Sequence, residues 1–249
     1  MLTQERFQSI LNLINDKGAV TVAELSELLD TSESTVRRDL TTLDKLGKLK
    51  KVFGGATSIR QTPGNIEDDV RLRMSQMMEE KTAIGMYSAT LINNTDFVFI
   101  DSGTTTLRLI DFIENARATY ITNGIDHARK LINKGLNAYI IGGKVKPMTE
   151  AVVGTEAINN LKSFNFSKAF MGSNGIDVEA GYTTPDIEEA RIKETAVNTS
   201  YMAFVLADHT KFRRVFPVTF SPIQKCCIIT DKLRDNSFAN ETVIKEVLK

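Results

Sequence analysis

Five short stretches of this chain carry the residue types that would hold a small phosphorylated polyol. They are Asp101-Ser102-Gly103-Thr104-Thr105-Thr106, Thr122-Asn123-Gly124, Gly142-Gly143-Lys144, Gly172-Ser173-Asn174-Gly175-Ile176-Asp177 and Asp208-His209-Thr210-Lys211. Backbone amides and threonine hydroxyls at a helix start bind anions. Lysine adds positive charge, and carboxylates and amides hydrogen-bond hydroxyl groups. The candidate ligands are Asp101, Ser102, Gly103, Thr104, Thr105, Thr106, Asn123, Gly143, Asn174, Asp177, Asp208 and Lys211. The stretch Gly181-Tyr182-Thr183-Thr184-Pro185-Asp186-Ile187-Glu188-Glu189-Ala190 places proline at a helix start and adds Glu189, with Lys193 four residues later. Glu189 and Lys193 either face the ligand or form a plain i,i+4 ion pair. Asp208, His209 and Lys211 are acid–base residue types; the alternative is a loop of hydrogen-bonded polar groups. His127 falls in a helical stretch and reads as surface or structural. The Asp101–Thr106 stretch lacks the Gly-Lys-Ser/Thr of a Walker loop and is not a dinucleotide fingerprint. With no Ser-His-Asp or Cys-His arrangement and no metal-ligand spacing, no catalytic residue, metal or cofactor is expected.

A different chemistry lies near the start of the chain. Ser32-Glu33-Ser34-Thr35-Val36-Arg37-Arg38-Asp39-Leu40 has the hydroxyls and guanidinium groups of a helix that reads base edges in a major groove. Ser34, Thr35 and Arg38 are the candidates for bases, and Arg37 for phosphate, because the arginine fork suits either guanine or phosphate. Lys50-Lys51-Val52-Phe53-Gly54-Gly55-Ala56 is the candidate for flanking contacts, with Phe53 expected to pack rather than intercalate. Thr21, Ser32, Lys50, Lys51, Gly54 and Gly55 complete the DNA-facing set. Residues 1–33 carry a net charge of −4 and residues 34–60 a net +5, counted from Arg6 and Lys17 against six acids, then from seven basic residues against Asp39 and Asp44. That concentrates positive charge where phosphates would lie.

The elements that must position these groups follow from periodicity. Phe7, Ile10, Leu11 and Ile14 form one helical face, closed by Gly18. Thr21 caps a second helix with Glu24 as its capping-box partner, and Val22, Leu25, Leu28 and Leu29 form its expected buried stripe. Ser32 caps a third helix with Val36, Leu40 and Leu43 inside and Gly47 at its end. Three short helices, a tight link at Asp30-Thr31 and a Gly-Gly hairpin spell a winged helix-turn-helix. A linker over 59–75 with Pro63, Gly64 and Asn65 separates this domain, 1–58, from a second, 76–249. One helix is expected from about Val70 to Leu91. Beyond it, the apolar runs Phe97–Ile100, Thr119–Ile121, Ala138–Ile141, Ala169–Met171, Ala203–Leu206 and Cys226–Ile229 alternate with helical stretches, the rhythm of an α/β domain with a mainly parallel sheet. Ligands of such sheets bind beyond the carboxyl ends of the strands, where the five polar stretches fall.

Composition narrows the possibilities. Of 249 residues, 42% are hydrophobic and 25% charged, and 31 basic residues balance 31 acidic ones. Apolar content is ample for a core, and a uniformly basic coat is excluded. Cys226 and Cys227 are adjacent in an apolar run, expected as buried free thiols, which fits a reducing cytoplasm. The N-terminal residues lack a basic-then-apolar signal layout and no apolar run approaches a membrane span, so a cytoplasmic location without membrane contact is expected.

Ser34-Thr35-Val36-Arg37-Arg38-Asp39-Leu40, Gly54-Gly55-Ala56, Asp101-Ser102-Gly103-Thr104-Thr105, Thr122-Asn123, Gly142-Gly143, Gly181-Tyr182-Thr183-Thr184-Pro185 and Ala207-Asp208-His209-Thr210-Lys211-Phe212, in that order, resemble the DeoR family of bacterial transcriptional regulators over essentially the full length. The resemblance implies a winged helix-turn-helix joined to a Rossmann-like sensor similar to ribose-5-phosphate isomerase but without turnover. It implies a homodimer or higher homo-oligomer on double-stranded operator DNA, repressing a sugar-catabolic operon and relieved by a sugar phosphate. Thr183-Thr184-Pro185-Asp186 and Asp208-His209-Thr210-Lys211 look most like the branch of fructose- and lactose-operon repressors, which makes fructose 1-phosphate the first expected effector. Phe53 departs from a histidine common there. The alternative reading is a sugar-phosphate isomerase with an accessory DNA-binding head, with Lys193 and Asp208 as its proton-handling pair. A third, a scaffold using the helix-turn-helix only for assembly, fits poorly with the local charge of +5.

Overall fold

The computed structural model describes residues 3–57, 70–114 and 117–248, with backbone only at 15, 16 and 70–72. The chain divides into two compact units, Met1–Thr62 and Pro63–Lys249. Of the linker expected over 59–75, residues 59–69 lie outside the described residues, and residues 70–75 are helical.

In the first unit, α1 (Thr3–Lys17) ends at Gly18, whose N–H reaches Ile14 O at φ +76°. β1 (Ala19–Thr21) leads directly into α2 (Val22–Leu28). Thr21 and Glu24 form the reciprocal capping box, at 3.1 Å from Glu24 N–H to Thr21 Oγ1 and 2.9 Å from Thr21 N–H to Glu24 Oε2. α3 (Glu33–Lys45) ends in a Schellman motif, with Lys48 N–H on Leu43 O and Gly47 N–H on Asp44 O, both 2.9 Å. The motif requires the left-handed φ of +63° at Gly47. β2 (Lys50–Val52) and β3 (Gly55–Thr57) form the hairpin, and β3 lies between β1 and β2 in an antiparallel sheet. The pairing with β1 was not legible in the sequence. Ile10, Ile14, Leu25, Val36, Leu40, Leu43 and Leu49 fill the core. Two expectations are corrected here. Leu28 is exposed, because α2 is only two turns long and buries Val22, Leu25 and Leu29 instead. Phe53 does not pack: it stands wholly in solvent at the tip of the β2–β3 turn.

The second unit opens with α4 (Val70–Ser75) and α5 (Met78–Thr90). The single helix expected over 70–91 is therefore broken, at Met77, whose φ of +51° is left-handed. Then follow β4 (Phe97–Ile100), α6 (Thr104–Asp111), β5 (Thr119–Thr122), α7 (Ile125–Asn133) and β6 (Asn137–Ile140). A short hairpin, β7 (Lys144–Val145) and β8 (Val152–Val153), precedes α8 (Thr155–Lys162) and β9 (Phe166–Gly172). β10 (Gly175–Asp177), β11 (Gly181–Thr184), α9 (Ile187–Asn198), β12 (Ser200–Leu206), β13 (Val218–Ser221), β14 (Cys227–Thr230) and β15 (Ile244–Glu246) complete it. Pro185 stands just before α9, and Asp186 is the N-cap.

The main sheet runs β15-β14-β12-β9-β4-β5-β6, with every neighbouring pair parallel. Its strands are apolar on both faces because both are covered. Phe99, Ala169, Met171 and Val205 pack under α8 and α9, while Val98, Ile100, Phe170 and Leu206 pack under α5, α6 and α7. From β4 the chain proceeds through β5 to β6, then returns to β9 on the other side of β4. The junction of β4 and β9 is thus the topological switch point, where the carboxyl ends of strands open a crevice. β10, β11 and β13 form a separate antiparallel sheet. Among the described residues, no helix is long and apolar enough to cross a membrane. Cys226 is buried and Cys227 half-buried, both free, and burial pushes the Cys226 thiol up to about 12.

Candidate functional site

On the first unit, α3 buries Val36, Asp39, Leu40 and Leu43 and exposes Ser34, Arg37 and Arg38. Asp39 is fastened by the guanidinium of Arg6, with Nε–Oδ2 at 2.5 Å and Nη2–Oδ1 at 3.2 Å, which ties α3 to α1. The Ser32 hydroxyl accepts from Thr35 N–H at 3.3 Å and lies 2.9 Å from the hydroxyls of both Ser34 and Thr35. These hydroxyls therefore order the first turn of α3. Arg37 pairs with Glu33 one turn back, whereas Arg38 has no side-chain partner among the described residues. Lys50 and Lys51 are exposed on β2, and Lys51 Nζ donates to Thr41 Oγ1 at 2.7 Å, so the hairpin leans on α3. Gly54 supplies the left-handed turn, φ +79°. Gly55 is buried, and a Cβ there would sit 2.2 Å from Val20 O, so its part is to let β1 approach β3. Thr21 is committed to its cap.

On the second unit, a cavity of about 260 Å3 opens at the switch point. Ser102, Gly103, Thr104, Thr105, Asn174, Glu189, Lys193, Asp208 and Lys211 line it, which brings together nine of the fourteen sequence candidates from β4, β9, α9 and β12. Gly103 is the N-cap of α6 and supplies no side-chain cap, so the first N–H groups of that helix face the crevice. A second cavity, of about 470 Å3, shares the Ser102–Thr104 wall.

The other five candidates lie behind or away from the cavity. Asp101 is buried and accepts from Gly172 N–H at 2.9 Å and from the ammonium of Lys193. Lys193 Nζ also donates to Gly172 O at 3.2 Å, which locks α9 against the ends of β4 and β9. Asn123 Oδ1 accepts from Ser102 N–H at 3.0 Å and so holds the loop from beneath. Thr106 turns inward to Asp101 O and Gly103 O. Gly143 is exposed, and a Cβ there would meet Val153 O at 2.7 Å; its role is the close approach to β8. Asp177 caps the β10–β11 turn, accepting from Glu179 and Ala180 N–H at 3.0 Å. His127, fully buried rather than at the surface, lies 3.0 Å from Gly103 O through Nε2 and props the same loop. Burial brings its pKa down to about 4, so it is neutral there.

The i,i+4 pair is also overturned. Glu189 accepts from Lys146 Nζ and Thr149 Oγ1, both at 2.9 Å, and Lys193 turns to Asp101. The isomerase alternative needed Lys193 with Asp208. Asp208 instead caps the short turn His209–Lys211 through Thr210 N–H, at 3.0 Å, and the Thr210 hydroxyl.

Sequence reasoning missed Arg73, Lys81 and Arg214, which also line the cavity. Lys81 is buried on α5, and burial, together with Lys211, Arg73 and Arg108 and against the pull of Asp208, lowers its pKa to about 8. Arg214 has no side-chain partner among the described residues. A lysine interrupting the apolar face of a helix, at Lys81, was the signal available. The cavity thus combines Arg73, Lys81, Lys211 and Arg214, hydroxyls and an uncapped helix start, an arrangement that favours an oxyanion over a neutral ligand.

Comparison with known proteins agrees with this two-part layout. Residues 6–62 match the DeoR-like helix-turn-helix domain and residues 76–232 the DeoR C terminal sensor domain. An uncharacterized HTH-type transcriptional regulator FruR of Bacillus subtilis is 38% identical over 99% of both chains. The HTH-type transcriptional regulator IolR of the same organism is 35% identical over 94% of this chain and 93% of that one. A lactose phosphotransferase system repressor of Staphylococcus aureus is 34% identical over 85% of this chain and 84% of that one. Among solved structures, a ribose 5-phosphate isomerase from Plasmodium falciparum aligns at a TM-score of 0.41 and 13% identity, over 55% of this chain and 53% of that one. From the two family matches and the full-length relatives, the chain belongs to the DeoR family of DNA-binding transcriptional regulators and is a regulator rather than an enzyme.

Proposed function

We propose that the protein is a homodimeric or larger repressor of a sugar-utilisation operon, relieved by a sugar phosphate, with fructose 1-phosphate as the first candidate. The observation that carries the sensing half is the cavity at the β4–β9 switch point, with its cations and the uncapped start of α6. In this reading the phosphate sits on the Gly103–Thr105 helix start, and Asn174 and Asp208 meet the sugar hydroxyls. Asp101, Asn123 and His127 act one layer back by holding that loop. The relative named as a lactose phosphotransferase system repressor supports a sugar-derived signal.

On DNA, two α3 helices would enter successive major grooves about one helical turn apart. Arg38, exposed and without a side-chain partner among the described residues, is assigned to base edges, with Ser34 beside it; Arg37, Lys50 and Lys51 are assigned to phosphates. The test is a titration of the full chain on the DNA upstream of its own gene, at fixed salt, with and without a panel of sugar phosphates. Fructose 1-phosphate is expected to weaken binding by roughly 5- to 150-fold, the span of common allosteric couplings. The Arg37→Ala, Arg38→Ala double variant is expected to lose DNA binding and keep its thermal unfolding profile. Tight DNA binding that no sugar phosphate alters would remove the proposed signal.

A further inference from the structure

Phe53 stands wholly in solvent at the apex of the β2–β3 hairpin, and Val52 beside it is exposed as well. An isolated apolar side chain on a surface is ordinary, but this one is held in an unusual way. The turn has two residues, Phe53 and Gly54, between the paired Val52 and Gly55. Gly54 O accepts from Val22 N–H at 2.9 Å, and Gly55 pairs with Thr21 of β1. On the other side, Lys51 N–H donates to Asp44 Oδ1 at 2.9 Å and Lys51 Nζ to Thr41 Oγ1, both residues of α3. The turn is thereby fixed relative to α3 instead of being a loose loop. Its surroundings carry one sign of charge. From residue 45 to residue 57 the chain holds Lys45, Lys48, Lys50 and Lys51, all exposed, and no acid. An apolar ring among cations fits a partner with an anionic exterior and an apolar interior, which is a stacked nucleic-acid duplex.

We propose that Phe53 is a wedge: with α3 in the major groove, its ring enters the adjoining minor groove, partly unstacks one base step and bends the operator. This goes beyond the phosphate contacts assigned to the hairpin, and it rests on α3 being the reading helix. The reach suffices. Phe53 lies two residues past Lys51, the last tie of β2 to α3, or about 7 Å along an extended strand. The minor groove is about 7.5 Å deep. Apolar wedges inserted there kink the duplex toward the major groove. Unstacking costs least at a flexible pyrimidine–purine step, TA or CA/TG. Phe53 therefore makes the protein select such a step at a fixed distance from each α3 site, without a hydrogen bond to any base. Lys50 and Lys51 hold the flanking phosphates while the ring inserts.

The experiment uses the full chain and the duplexes that it selects from a random-sequence pool. Bending is read from energy transfer between dyes at the two duplex ends, and unstacking from a fluorescent adenine analogue placed at each flanking step. The wild type is expected to select a TA or CA/TG step at one fixed flanking position. It is expected to bend the duplex by at least about 20° and to brighten the analogue at that step. Phe53→Ala is expected to lose all three effects and roughly tenfold in affinity. Its slope of log affinity against log salt stays that of the wild type, because no phosphate contact is removed. Phe53→Leu, still an apolar wedge, is expected to keep part of the bend. A ring that merely touches the backbone would leave the analogue dark. Wild-type complexes that stay straight and dark overturn the wedge, as do Phe53→Ala complexes that bend and brighten like the wild type. If the Arg37→Ala, Arg38→Ala double variant then loses DNA binding, α3 still stands as the reading helix. A double variant that binds the selected duplexes as tightly as the wild type overturns both, and so does a wild-type chain that selects no duplex.

Discussion

Single side chains divide here into those that hold the architecture and those free to meet a partner, and the two classes make opposite predictions. The Lys193–Asp101 pair is buried on both sides. Lys193→Met would strand a buried carboxylate and should cost about 3–5 kcal/mol in urea unfolding; a loss under about 1 kcal/mol would show that the pair is not structural. Phe53 stands at the opposite extreme. Fully exposed on the hairpin turn, it should tolerate Phe53→Ala within about 0.5 kcal/mol, while operator affinity falls if that turn touches DNA. The residue types of the cavity, Ser102 to Thr105, Asn174 and Lys211, were legible because glycine, hydroxyl and cationic groups gather after strands. The partners of Glu189 and Lys193 were not. Spacing along one helix suggested that they pair with each other, and only packing against β4 and the β7–β8 hairpin decided that they do not.

Local signals place the elements of the first unit well. Thr21 with Glu24, Ser32 before α3 and Gly47 after it are caps whose chemistry acts within four residues, so neighbours in sequence suffice. Thr21→Ala should remove the capping box and lower stability by about 1 kcal/mol, a shift measurable in thermal unfolding. Gly55 tests a longer range. Its missing Cβ lets β1 lie against β3, so Gly55→Ala should lower stability by about 1–3 kcal/mol through forced displacement of that strand. The same substitution at Gly47 meets open space but a strained φ. The break between α4 and α5 eluded periodicity, since a left-handed Met77 leaves no mark that a hydrophobic pattern records.

For the whole molecule, two buried titrating groups give stability a definite pH course. His127 falls from 6.5 to about 4 on folding. The unfolded chain thus binds the extra proton between those values. The contribution, about 3 kcal/mol at most, is present above pH 6.5 and lost as pH falls toward 4. Lys81 falls from 10.5 to about 8, so the unfolded chain again binds more protons in between, and stability from this group rises with pH across that window. Unfolding midpoints measured across pH are the check on both windows. DNA binding should weaken steeply with salt, and removing Lys50 should lower the slope of log affinity against log salt by about 1.

The sequence by itself determined that two units of different grammar follow one another, that the second is a parallel α/β sheet, and that the strand ends carry the polar groups. Those properties rest on periodicity, caps and composition, each acting over a few residues. Tertiary structure alone decided the strand order, and with it that β4 and β9 meet at the crevice. It also decided that Asp101, Asn123 and Thr106 support the loop instead of lining it, and that Lys81 and Arg73 arrive from helices that precede the sheet. Those choices depend on crossovers tens of residues long, whose outcome is set by packing of both sheet faces at once.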